Sequence, residues 1–155
     1  MNRNIAHTLA VLSFAVLLAA FAPAAHAANC SVETVAGHWG FTLSGTAILP
    51  GAGPVLVAAV GEFEADEKGN GTGAEARSIG GGYAEETLSA NWIVNPDCTG
   101  TLTVHIYESG QLVRTSIASI VFDRNSKEVR MVQKSLTLPD GTRLPVVITL
   151  EGAKQ

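Results

Sequence analysis

Thr87-Leu88-Ser89-Ala90-Asn91-Trp92-Ile93-Val94, then Asn95-Pro96-Asp97-Cys98-Thr99-Gly100, then Thr101-Leu102-Thr103-Val104-His105-Ile106-Tyr107: these residues decide the fold. The first run places Leu88, Ala90, Trp92 and Val94 on one face. The last run does the same with Leu102, Val104 and Ile106, leaving Thr101, Thr103, His105 and Tyr107 opposite. A period of two marks a half-buried β-strand, because successive side chains of a strand point to opposite faces. The middle segment is turn chemistry, with Pro96 and Gly100 expected to supply the special backbone angles. Two alternating runs joined by a short turn form an antiparallel hairpin.

The same grammar extends both ways. Upstream, His38 to Ile48 sets Trp39, Phe41 and Leu43 against His38, Gly40 and Thr42. A loop rich in Pro and Gly follows from Leu49 to Pro54, then an apolar strand from Val55 to Ala65. Asp66 to Gly71 is a hairpin turn, Thr72 to Ile79 a weaker strand, and Gly80-Gly81-Gly82 a flexible connection. Downstream, Leu112 to Phe122, Glu128 to Leu138 and Arg143 to Leu150 are strands, separated by turns at Asp123-Arg124-Asn125-Ser126 and Pro139-Asp140-Gly141-Thr142. No segment of the exported part reads as a helix. The chain is therefore all-β, an antiparallel meander of about eight strands. Closure into a barrel removes exposed edges, and eight strands leave an interior for packed side chains or one small ligand. A two-sheet sandwich is the alternative, but sandwiches usually need longer crossing connections than these hairpins.

The N-terminus reads as a secretory signal. Arg3 is basic, Leu9 to Ala22 is apolar apart from Ser13, Pro23 breaks the run, and Ala25-His26-Ala27 is a small-residue cleavage site. The apolar run is about 14 residues, short of the roughly 20 that span a bilayer. This divides the chain into a signal peptide over 1–27 and one domain over 28–155, exported to the periplasm or beyond, with no stable membrane insertion after cleavage. The exported part carries nine basic and fourteen acidic side chains. That balance disfavours nucleic acid, which calls for a basic patch. Cys30 and Cys98 both lie in the exported part, and two thiols in an oxidising compartment most simply pair.

Three stretches form a recognisable set: Cys30-Ser31-Val32 leading to Gly37-His38-Trp39-Gly40-Phe41, Gly61-Glu62-Phe63 running into Asp66-Glu67-Lys68-Gly69-Asn70-Gly71, and the Asp97-Cys98-Thr99-Gly100 turn. Together they resemble a group of small exported bacterial proteins without an assigned function. The strand count also looks like the allene oxide cyclase and dirigent type of barrel. That second likeness is architectural, and it implies a ligand cavity without implying an activity.

Catalytic and metal motifs are weak. His38 and His105 are distant in sequence, and both cysteines are expected to be oxidised, so a zinc site of three or four converging ligands is not expected. No nucleophile elbow is present, and Gly80-Gly81-Gly82 lacks the Lys and helix of a phosphate loop. No cofactor is expected. Several polar residues share strands with apolar ones: Glu75, Arg77, His105, Tyr107, Arg114 and Lys134. His105, Tyr107 and Arg114, if inward, would make a polar floor for an acidic or hydroxylated ligand, with Glu75 a further candidate. Alternation instead puts Leu102, Val104 and Ile106 inside and these three outside. Trp39, Trp92 and Phe122 are expected in the core. The leading expectation is a non-catalytic binding barrel for a small apolar molecule or a protein partner. The alternatives are a cavity-based isomerase or cyclase, and a structural envelope or extracellular protein.

Overall fold

The structure, a computed structural model, describes residues 30–123 and 125–155. The proposed signal peptide at 1–27 lies outside the described residues. The chain opens with a one-turn helix, α1 (Val32–Val35), followed by β1 (Gly37–Leu49), β2 (Gly53–Ala65), β3 (Asn70–Ile79), β4 (Gly82–Val94), β5 (Thr99–Glu108), β6 (Gln111–Phe122), β7 (Glu128–Thr137), β8 (Arg143–Leu144) and β9 (Val146–Lys154). Each strand from β1 to β7 pairs antiparallel with the next, and β9 joins β7 to β1. The result is a closed eight-stranded barrel with β8 as an extra short strand. The sandwich is excluded because no edge is left between two sheets.

The separation of β8 from β9 comes from Pro145, which has no N–H to give a ladder. Its carbonyl still accepts a hydrogen bond from Ile48 N at 2.9 Å, so β1 stays joined across the break.

Two turns differ from the sequence expectation. Gly80 and Gly81 are not a loose connection but a two-residue hairpin turn, since Ile79 pairs directly with Gly82. Their φ values of 56° and 89° lie in the left-handed region that such turns require. In the Asn95–Thr99 turn the left-handed residue is Cys98, at φ 68°, rather than a glycine. Asp97 Oδ1 holds the turn by accepting from Thr99 N at 3.0 Å and Thr99 Oγ1 at 2.6 Å.

Helix α1 is the element that the strand pattern does not anticipate. Ser31 caps it: Ser31 Oγ accepts from Thr34 N at 3.3 Å, and Thr34 Oγ1 accepts from Ser31 N at 2.9 Å. The Cys30–Cys98 disulfide, with Cα atoms 4.9 Å apart, ties the residue before this helix to the β4–β5 turn. Trp39 Nε1 donates to Val35 O at 2.9 Å. The helix therefore sits over one end of the barrel.

Beneath it lies an aromatic plug. Trp39 stacks on Phe63 with centroids 6.2 Å apart and meets Phe122 at 5.7 Å, while Phe63 meets Trp92 edge-on at 6.1 Å. Inward-facing glycines make room for these rings. A Cβ on Gly71 would lie 2.7 Å from the Trp92 ring, and one on Gly61 would lie 2.7 Å from the tip of Phe41. Trp39, Trp92 and Phe122 are all buried, as the alternation of their strands requires.

Candidate functional site

Above the plug the barrel is not filled. A cavity of about 330 Å³ occupies its other half, toward the ends carrying the β1–β2, β3–β4 and β7–β8 turns. Most of its wall is aliphatic, with Val57, Ile106, Leu136, Leu144 and Ile148 representative. Leu49, Ile79 and Leu138, at the strand ends, are its half-buried rim. The volume falls in the range of small-molecule sites, which begins near 300 Å³.

Polar groups gather on one wall. Glu75 and Arg77 are two positions apart on β3, and their partners across the β2–β3 ladder, Gly61 and Ala59, are small. Glu86 lies directly opposite Glu75 on β4. Arg114 comes from β6, reaching over Ile106, its partner on β5. Arg114 Nη1 donates to Glu86 Oε1 at 2.6 Å, and Nη2 donates to Glu86 Oε2 and to Glu75 Oε1, the latter at 3.1 Å. Arg77 Nε and Nη2 donate to Glu86 Oε1 at 3.1 and 2.9 Å. Glu86 is thus held by both guanidinium groups and has no exposed side-chain surface. Arg77 also lies 3.6 Å from Glu108, which is half exposed at the mouth.

This arrangement separates the two carboxyl groups. Burial pushes Glu75 up to about 7, against the pull of Arg114 and with a further push from Glu86. Burial also acts to raise Glu86, but the hydrogen bonds and charges of Arg114 and Arg77 outweigh it and bring the group down to about 2. One carboxyl is firmly ionised, and its neighbour titrates near neutrality.

The six polar residues singled out from the sequence separate into two sets. Glu75, Arg77 and Arg114 line the cavity. The other three do not: His105 Nδ1 meets Thr115 Oγ1 at 3.1 Å on the outer surface, Tyr107 faces an outer groove, and Lys134 is exposed. Arg114 thereby departs from the outward orientation expected by alternation. The ladder explains why. Ile106 pairs with Arg114 but Tyr107 with Leu112, so Val113 is an extra residue, and both Val113 and Arg114 reach the cavity.

Glu86 is the central residue that the sequence reading missed. Its signal was present: continuing the Leu88, Ala90, Trp92 alternation one step back brings Glu86 inside. Ser116 and Gln133 complete the polar lining. Among the described residues, Trp92 Nε1 is the one sealed side-chain N or O atom without a hydrogen-bond partner, and it lies in the plug.

No family model matches this chain, and no curated protein matches it. A solved structure of EF1p2_mFAP2b bound to DFHBI is similar in fold, with a TM-score of 0.56 at 10% identity, covering 83% of this chain and 99% of that one.

Proposed function

We propose that this protein binds a small, mainly apolar molecule inside its barrel and acts as a carrier or sequestering module rather than as an enzyme. The observation that carries this reading is the cavity itself. Closed eight-stranded barrels can fill their interior with side chains. This one keeps about 330 Å³ open between the aromatic plug and the rim, behind an aliphatic wall with one polar cluster. The likeness to a barrel solved with DFHBI bound is consistent with an interior of that kind. The signal-like N-terminus, the Cys30–Cys98 bond and the resemblance to small exported bacterial proteins support work outside the cytoplasm.

A second reading has one observation in its favour. Glu75 combines a near-neutral carboxyl with an apolar cavity, a combination also found in proton-transfer enzymes. Its test is turnover: a ligand recovered from the protein would return chemically changed after incubation, and the change would stop in Glu75→Gln.

The binding reading is tested with N-phenyl-1-naphthylamine, whose fluorescence rises in apolar surroundings. Wild-type protein is expected to bind it saturably at one site. Ala59 is buried on the cavity wall. Ala59→Phe should fill the space and weaken binding at least tenfold while far-ultraviolet circular dichroism is unchanged. Equal binding by the two proteins would place the probe elsewhere and overturn the reading. Native mass spectrometry of freshly purified protein adds the mass of any retained ligand.

A further inference from the structure

The guanidinium groups on the cavity wall are not fully used. Arg114 Nε and Arg77 Nη1 make no hydrogen bond to any described residue. Neither is sealed in protein, since among the described residues the one sealed and unpartnered side-chain atom is Trp92 Nε1. Both arginines line the cavity, whereas Glu86, the anion that holds them, is buried behind them. A ligand approaching this wall therefore meets open cationic donors, with one carboxyl, Glu75, beside them.

The charge balance selects among head groups. A cationic head would face two arginines, and the one carboxyl lining the cavity, Glu75, already accepts from Arg114. A hydroxyl head could use donors on the wall but would bring no charge. An anionic head offers two or more acceptor oxygens and matches the fork geometry of guanidinium groups. The size of the cavity limits the tail. At about 30 Å³ for each water-sized group, 330 Å³ holds roughly eleven non-hydrogen atoms.

We propose that the cavity takes a single-tailed amphiphile with one anionic head, a medium-chain carboxylate, its head on the open N–H groups of Arg77 and Arg114 and its tail on the aliphatic wall. This rests on the cavity-binding reading above and specifies its ligand class. It has a built-in proton linkage. The charged and titratable groups around Glu75 are Arg77 on its own strand, Glu86 on β4, Arg114 on β6 and, beyond Arg77, Glu108 on β5. Glu108 is half exposed at the mouth and screened by solvent. Inside the cavity, with Glu86 ionised, the two arginines leave one surplus positive charge when Glu75 is protonated and none when it is ionised. The carboxylate therefore binds best to protein that carries this proton.

The experiment is calorimetric titration with decanoate and 1-decanol, below their aggregation limits, at pH 6 and pH 8. A group titrating at about 7 is roughly nine-tenths protonated at pH 6 and one-tenth at pH 8. Decanoate, with an ordinary alkanoic-acid pKa of about 4.8, stays largely ionised at both. Decanoate is expected to bind about tenfold more tightly at pH 6 than at pH 8, and at least tenfold more tightly than decanol at pH 6. Decanol should show no pH dependence. In Glu75→Gln, which keeps the shape but not the titration, decanoate should bind equally at both values. Decanol binding as tightly as decanoate, or a pH-independent decanoate affinity in the wild type, overturns the proposal. If naphthylamine binds but neither ten-carbon compound does, the ligand class is wrong and the cavity reading stands. If no probe binds, both fall. Should Glu75→Gln fail to fold, the wild-type comparison alone decides.

Discussion

Glu75 and Glu86 stand directly opposite each other across the β3–β4 ladder, and Arg114 donates to both. Two like charges at a directly paired position repel. The arginines relieve this unequally, because Arg77 and Arg114 both bond Glu86 while Glu75 receives one bond from Arg114. Burial is the main cause of the near-neutral Glu75, and that asymmetry keeps Glu86 from rising with it.

Stability should depend on pH with opposite slopes on either side of about pH 4.5. Glu75 is raised from 4.5 to about 7, so the folded state holds a proton that the unfolded state has lost. Its penalty grows as pH rises from about 4.5 through 7, to on the order of 3 kcal/mol by pH 8. Glu86 is lowered from 4.5 to about 2, and its contribution is lost as pH falls across that window. Urea unfolding at pH 5 and pH 8 should show the higher stability at pH 5. Glu75→Gln should flatten the alkaline decline.

Removing Glu86 alone should be severe. Glu86→Leu leaves two half-buried arginines without their main partner, which costs up to about 3 kcal/mol, the low end for a broken buried pair. Replacing Arg77 and Arg114 by Met in the same chain should restore most of that loss, because apolar groups can substitute for buried ions and the remaining Glu75 stays as the neutral acid. The triple variant should also bind decanol and decanoate without preference. Denaturant midpoints and calorimetry check both parts.

Loss of the Cys30–Cys98 bond should cost roughly 2–4 kcal/mol, since it closes a separation of 68 residues. It should also loosen α1 over Trp39. The expected readout is a lower midpoint in the Cys30→Ser/Cys98→Ser protein, with a red shift in tryptophan fluorescence under native conditions.

Gly61→Val should destabilise by about 1–3 kcal/mol through overpacking. Even the first added carbon meets Phe41 at 2.7 Å and Glu75 Cβ at 2.9 Å. The same substitution should disturb the Glu75 titration, visible by nuclear magnetic resonance of the labelled carboxyl.

The barrel was legible because most of its strands alternate. Leu88, Ala90 and Trp92 on β4, and Leu102, Val104 and Ile106 on β5, face inward as their period requires. The polar cluster was harder to see for three separate reasons. On β3 the inward positions are Gly71, Gly73, Glu75, Arg77 and Ile79, so no apolar stripe marks the inner face. On β6 both faces carry aliphatic residues, and the extra Val113 blurs the phase before Arg114. On β7 the pairing jumps from Gln133 to Ser135, which leaves Lys134 outside the count and shifts the inward residues from odd to even. Local alternation cannot anticipate a bulge, because a bulge depends on the partner strand. Helix α1 was overlooked for a different reason: one turn is too short to show a period, and only its Ser31–Thr34 cap announces it.

The helix-capped, aromatic-filled end gives the cavity one doorway. A ligand held above Trp39 and Phe63 must leave by the route it entered, past Leu49, Ile79 and Leu138. Arrival and departure then share one bottleneck. Widening the rim should speed both rates together and leave the equilibrium affinity nearly untouched, whereas changes at Arg77 or Arg114 should alter how long the ligand stays. The protein works as a flask rather than a pipe, with its neck at the rim and its cationic grip on the wall just below.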